Sequence, residues 1–306
     1  MNNPIVSIVI ANFNYGRFLE DAIQSVLSQD VGEKVELIIC DGGSTDRSVE
    51  VIQKYAKGLP PNTDYREWSK TNLNRPRVGS TAITWWCSEP DSGQSNAFNK
   101  GFSKARGKYL TWLNADDSFV SGALSRIVEY LEGHREVEWL CCGSVFCNRE
   151  MKIRWMRIGF TVLSCAHEWL PLYVIGGPSS FFLAERLKRV GGMDERLHYK
   201  MDTDLWLRFF RVGMKLQHIN LYGWAFRIHE ESKTSCMFAN AMAEAHVQEN
   251  VEWNRRVNRN SKKLLIGTCC LQIWKIISGS ILRSWVDSWR ARGKPIQLLK
   301  PNGQIE

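Results

Sequence analysis

Ile5-Val-Ser-Ile-Val-Ile-Ala11 is an apolar, β-rich run that stops at a polar turn around Asn14-Tyr15-Gly16. Phe18, Leu19, Ala22, Ile23, Val26 and Leu27 then recur at helical spacing, so the pattern predicts a strand followed by an amphipathic helix. The unit returns. Val35-Glu-Leu-Ile-Ile-Cys40 predicts a second strand, Asp41-Gly-Gly-Ser-Thr-Asp46 a turn, and residues 47–57 a helix for which Ser44 or Thr45 is the expected cap. Two such units in succession imply a parallel sheet.

Residues 58–80 are polar and less periodic, Ala82 to Trp86 predict another strand, and a helix is expected over residues 95–105. Tyr109-Leu-Thr-Trp-Leu113 reads as a central strand whose carboxyl end carries Asn114-Ala-Asp-Asp117, the end of an open α/β sheet where ligands gather. Further on, the pattern predicts a helix over 121–131, strands near 137–147, 152–160 and 180–183, and a glycine-rich turn at 176–178. A helix over 202–211, a strand over 215–226 and helical structure through 238–258 follow. The expected fold is α/β, with one domain over residues 1–235 and a C-terminal helical region over 236–306.

That C-terminal region changes the picture. Leu264 to Leu282 is largely apolar, contains Gln272 and Lys275, and is flanked by Lys262, Lys263, Arg283, Arg290, Arg292 and Lys294 with Trp274, Trp285 and Trp289. Tryptophan and cations around an apolar face are what an interfacial helix uses; Lys275 and two glycines weigh against a membrane span. The competing reading is a helix packed on the preceding domain or in an oligomer interface. Residues 293–306 read as a frayed end.

With 306 residues, 44% hydrophobic and 24% charged, the composition is that of a globular chain rather than a disordered or polytopic membrane one. A net charge of +8 favours an anionic partner: a phosphorylated small molecule, a bilayer surface or nucleic acid. Nucleic acid ranks last, because the cations crowd the tail instead of forming an aromatic-interleaved stripe. Nine cysteines without C-x-x-C spacing fit a reducing cytoplasm, and the first apolar run is too short for a signal peptide.

Four constellations carry candidate chemistry. The glycines of Asp41-Gly-Gly-Ser-Thr-Asp46 permit close backbone approach and Asp41 can accept hydrogen bonds from a base or ribose, although a capped turn has the same residues. Asp116 and Asp117 offer hard oxygen ligands for Mg²⁺ or Mn²⁺, or else cap the next helix. Asp202, in Met201-Asp-Thr-Asp-Leu-Trp-Leu-Arg208, stands at a helix start, where an acid also complements the dipole. His229 is either a metal or phosphate contact or a surface histidine. No P-loop or dinucleotide-binding glycine motif follows a strand.

In this order the motifs resemble those of family 2 glycosyltransferases, whose catalytic domain has the GT-A fold. The match includes Ser7-Ile-Val-Ile-Ala-Asn-Phe-Asn14, the Asp41–Asp46 turn, Ser88 to Gly101, Leu113-Asn-Ala-Asp-Asp117, Gly191-Gly-Met-Asp194 and Met201 to Arg208, and spans roughly residues 5–232. The resemblance implies a Rossmann-like nucleotide-sugar domain, with Asn12, Asn14, Asp41, Asp91, Asn96 and Asp116 around the donor nucleotide. It further implies Asp202 as catalytic base and a divalent cation, Mn²⁺ or Mg²⁺, held by Asp116, Asp117 and His229. Two positions depart from the family pattern: Asn114 replaces the first acid of the Asp-x-Asp motif, and Met201 the acid before the base.

Direct displacement at an anomeric carbon needs a base for the acceptor hydroxyl and a positive centre for the departing nucleoside diphosphate. The expectation is therefore an inverting glycosyltransferase. It would move a hexose or N-acetylhexosamine from a nucleoside diphosphate, UDP foremost, to a glycan or lipid-linked acceptor, as in bacterial surface polysaccharide or glycolipid assembly. The chain is expected in the cytoplasm or peripherally on the inner membrane, with specificity over residues 140–200, and as a homo-oligomer if the tail packs in an interface. A nucleotidyltransferase and an inactive sugar-nucleotide or glycan-binding module are the alternatives.

Overall fold

The computed structural model describes residues 3–71, 82–159, 175–236, 240–257 and 261–305. Its first half follows the expected alternation: β1 (Val6–Asn12), α1 (Gly16–Leu27), β2 (Val35–Asp41), α2 (Ser48–Ala56), α3 (Tyr65–Thr71), β3 (Ala82–Ser88), α4 (Gln94–Lys104) and β4 (Tyr109–Asn114). The second half is mixed: β5 (Ser118–Phe119), α5 (Ala123–Gly133), β6 (Trp139–Cys147), β7 (Ile153–Arg157), β8 (Ser180–Leu183), α6 (Ala184–Arg189), α7 (Met201–Arg211) and β9 (Leu216–Arg227). Helices α8 (Lys233–Cys236), α9 (Asn240–Val257), α10 (Ser261–Ile277) and α11 (Ser280–Ala291) follow.

The strands form one sheet in the order β3-β2-β1-β4-β8-β6-β9-β5, with β7 paired to β6. The four strands from β3 to β4 are all parallel. Strand β8 enters antiparallel between β4 and β6, and β6 then pairs parallel with β9. Strand β1 is buried along its whole length because both faces are covered. Its Ile8 and Ile10 pack in the cluster of α1, α2 and α5, while Val9 and Ala11 pack in that of α4 and α7. The carboxyl ends of β1, β2 and β4 thus open together beyond a rigid core.

Aromatic packing fixes α7 on this frame. The Trp206 ring stacks on Trp112 of β4 at 5.5 Å and on Trp139 of β6 at 4.8 Å between centroids. A helix held by two stacked indoles has little freedom to roll, which sets where its N-terminal residues stand.

Several expectations change. Neither Ser44 nor Thr45 caps α2; Asp46 does the work, its Oδ1 accepting from Ser48 N and its Oδ2 from Gly16 N, both at 2.9 Å. Helices α3, α6 and α8 and strand β5 are short elements that periodicity did not disclose. The apolar tail is two helices, broken at Gly279, whose φ of 71° suits glycine. The last residues are not frayed: Gly293 N donates to Ile153 O, Ile153 N to Lys294 O and Tyr222 N to Pro301 O, and Leu299 is 1% exposed. An unpaired β7 edge beside them supplies the partners. Parts of the stretches expected over 58–80, 152–160 and 238–258, and of the specificity region 140–200, lie outside the described residues.

Candidate active site

At the end of β2 the Asp41 carboxylate is buried and fully engaged. Its Oδ1 accepts from Asn12 Nδ2 at 2.6 Å and from the Ser44 hydroxyl, and its Oδ2 from Ser44 N at 3.0 Å and the Ser88 hydroxyl at 2.6 Å. Three parallel strands are thereby tied at one point. The atom left over is Oδ1 of Asn12, which is buried and has no hydrogen-bond partner. Asn14, at φ 57°, accepts from Thr45 N through Oδ1 and donates its backbone N–H to the Ser44 hydroxyl, both at 2.8 Å. Asparagine tolerates that left-handed conformation better than most residues.

Asp91 accepts from Gly93 N through Oδ1, while its Oδ2 stands where a Cβ on Gly42 would meet it at 2.8 Å. Glycine at position 42 is what lets this carboxylate lie over the β2 turn. Phe13 flanks the same spot and is 59% exposed, an aromatic ring presented to solvent at the sheet's carboxyl edge. Asn96 points elsewhere: its amide donates to Glu195 at 2.8 Å, holding the loop before α7 on α4.

Beyond β4 the two acids separate in role. Asp117 is fully buried, its Oδ1 accepting from Arg227 N and its Oδ2 from Asn114 Nδ2 and Trp224 Nε1. Burial, reinforced by the charge of Asp116, pushes its carboxyl well above the ordinary range. Asp116 instead meets His229, Oδ2 to Nε2 at 3.0 Å. The imidazole packs on the Phe18 ring at 4.6 Å, and its Nδ1 is buried without a partner. Arg227 fastens the arrangement, its Nε donating to Asp116 O at 2.8 Å and its NH2 to Asp21 at 2.6 Å.

Asn114 bridges, in place of an acid. Its Nδ2 reaches Asp117 while its Oδ1 accepts from Gln94 Nε2 at 3.0 Å, and Gln94 Oε1 accepts from Lys233 Nζ at 3.0 Å. A carboxylate at 114 would face that of Asp117 directly; the amide removes the repulsion.

Lys233 and Asp202 close the site. Asp202 is the second residue of α7, and its Oδ1 accepts from Thr203 N at 2.6 Å. Burial raises its pKa against the opposing pull of the Thr203 hydrogen bonds, Lys233 and Lys200. Burial also draws the Lys233 ammonium down to about 8, with Asp202 and Glu249 resisting. Asp204, two residues on, is structural: Arg208 donates to it at 2.7 Å and Trp253 at 3.0 Å.

The fold thus groups Asn12, Asn14, Asp41 and Asp91 at the ends of β1 to β3, joins Asp116 to His229, and sets Asp202 beside Lys233. It turns Asn96 and Asp117 to other partners. Phe13, Gln94, Lys233 and Arg227 were not singled out from the sequence. Lys233 stands four positions past His229, and Phe13 sits inside the quoted Asn12-Phe13-Asn14 stretch, so proximity to a motif was the available signal.

The profile of Glycosyl transferase family 2 matches residues 7–74 and 87–180, about half of the chain. An uncharacterized glycosyltransferase of Nostoc sp. is 34% identical over 127 residues, which is 42% of this chain and 33% of that protein. The chain therefore spans a third of that relative's length. Among solved structures, residues 1–349 of S. aureus TarS in complex with UDP-GlcNAc superpose with a TM-score of 0.54 at 14% identity, covering 81% of this chain and 66% of that one. The mannosyltransferase PcManGT from Pyrobaculum calidifontis, in complex with GDP-Man and Mn²⁺, gives 0.54 at 17% identity, over 83% and 65%. The shared fold is GT-A.

Proposed function

The chain belongs to Glycosyl transferase family 2, and from that premise we propose that it is an inverting glycosyltransferase using a UDP-sugar and a glycan or glycolipid acceptor. The observation that supports the reading is the hydrogen-bonded relay Asn114–Gln94–Lys233, which leads from the strand end that carries Asp116, paired with His229, to the ammonium that acts on the Asp202 carboxylate. Asp202 takes the proton from the acceptor hydroxyl as its oxygen attacks the anomeric carbon. Desolvation raises its basicity, and general-base catalysis of this kind contributes about 10² to 10⁴ in rate. One displacement inverts the anomeric configuration, so an α-linked donor yields a β-linked product.

A carboxylate oxygen and an imidazole nitrogen 3.0 Å apart are a donor set that Mn²⁺ or Mg²⁺ accepts. Among the described residues no third acid, histidine or cysteine joins them. Asp116 and His229 are the residues that would hold such an ion, which would supply positive charge to the leaving nucleoside diphosphate. The Lys233 ammonium adds a second positive centre on the Asp202 side. Asn12, Asn14, Asp41 and Asp91 frame the nucleoside. Phe13 offers a ring face for the base. Seven described cysteines are free thiols, which supports a cytoplasmic setting.

The test is nucleoside diphosphate release from a panel of sugar nucleotides, with Mn²⁺, with Mg²⁺ and with chelator, for the wild type and Asp202→Asn. Metal-stimulated release from one donor, lost in the variant while nucleotide binding persists, is the expected result. Binding of no nucleotide at all sinks the reading, and full activity of Asp202→Asn removes the base from it.

A further inference from the structure

Residues 258–294 hold eight lysines and arginines against the single acid Asp287, and so carry seven of the chain's eight net positive charges. Asp287 is itself engaged, accepting from the Tyr222 hydroxyl at 2.8 Å with Arg283 alongside. The catalytic region is therefore close to neutral and the tail strongly cationic. A field so localised points to what the tail meets rather than to the donor site.

Helix α11 is held along β7 by its polar flank. Ile158 N donates to the Ser284 hydroxyl oxygen at 3.2 Å and Met156 N to that of Ser288 at 2.8 Å. This fixes the rotation of the helix and keeps Ile281, Leu282, Trp285 and Trp289 facing outward, with Trp289 73% exposed. Helix α10 is apolar around most of its circumference, yet buries Leu271 and leaves Ile266, Ile273, Trp274, Ile276 and Ile277 exposed, Ile277 by 80%. A helix with that composition needs an apolar surrounding that the described residues do not supply.

We infer that α10 and the outer flank of α11 form a docking face for the anionic surface of a lipid bilayer, lying in its plane. The seventeen residues of α10 reach about 25 Å, short of the roughly 30 Å hydrocarbon core, and the two helices bend by 67° at Gly279. Tryptophan and arginine along an apolar stripe are the residues that seat at the headgroup level. A second copy of the chain is the poorer occupant. A two-fold dimer through this face would set seven net positive charges against seven, where interface cores are depleted of charge.

The experiment is flotation of the full chain with vesicles of phosphatidylcholine alone and of phosphatidylcholine mixed with phosphatidylglycerol. Partition onto the anionic vesicles is expected to be at least about tenfold stronger and to weaken as salt is raised. Ile277→Ser/Trp285→Ser/Trp289→Ser abolishes partition, and Arg290→Glu/Arg292→Glu removes the preference for anionic lipid. These side chains are exposed, so nucleotide binding and the thermal transition serve as controls that both variants fold. No partition of the wild type, or equal partition of the triple variant, overturns the inference. So does a concentration-dependent dimer, seen by sedimentation without lipid, that the triple variant loses.

Discussion

Nε2 of His229 lies 3.0 Å from Oδ2 of Asp116, across 113 positions of the chain. Arg227 keeps them together, donating through Nε to the Asp116 carbonyl and through its backbone N–H to Asp117. The pair is thus positioned by Arg227 as well as by its own contact.

If this pair seats the divalent ion, Asp116→Ala and His229→Ala each lower metal-stimulated turnover by about 10² to 10³, the usual cost of losing a stabiliser of leaving-group charge. The double variant falls little further, because the two act as a unit. Turnover measured against Mn²⁺ concentration checks both points. An unchanged metal requirement in His229→Ala would place the ion elsewhere.

Asp117 is expected to answer in stability instead. Asp117→Ala strands three buried donors, from Arg227, Asn114 and Trp224, and costs about 2–4 kcal/mol. Asp116→Ala, with its single side-chain partner, costs less, about 1–2 kcal/mol. Urea unfolding of the two variants separates the roles; equal losses contradict them.

If Asp202 is the base and Lys233 the cation beside the leaving group, the pH profile of kcat/KM follows from the two. A base must be unprotonated, so activity falls on the acid side as Asp202, raised by burial, takes up its proton. A cation must be protonated, so activity falls again above about 8 as Lys233 loses its charge. Lys233→Arg moves only the alkaline limb upward, because guanidinium stays charged. A profile flat through pH 9 in the wild type would show that the Lys233 charge is not used.

Truncation after Arg292 removes the pairing to Ile153 and the buried Ile296 and Leu299. Two buried aliphatic side chains are worth about 3–6 kcal/mol, so the thermal midpoint is expected to fall by several degrees. A frayed end would leave the melt unchanged.

The sequence made β1, β2 and β4 legible because strands buried on both faces read as continuous apolar runs, and α1, α2 and α4 because one wet face imposes a helical period. It also placed Asp41, Asp116 and Asp202 at element ends, where polar turns interrupt those runs. Which acid does what was a different matter. Asp116 and Asp117 are neighbours with the same chemistry, and two of the three donors that claim Asp117 come from β9, more than a hundred positions away.

The same distance hid Lys233, whose place beside Asp202 depends on Gln94 and on the stacking of Trp206 that fixes α7. It hid the docking of residues 293–305 as well, since a short polar segment becomes ordered only when β7 offers it backbone partners. By itself the sequence determined the alternation of elements, the positions of the polar turns and the cationic, tryptophan-bearing tail, for these are written in local periodicity and charge. Tertiary structure alone decided which carboxylates are satisfied inside the protein and which are left for a ligand, because that depends on donors brought in from remote elements.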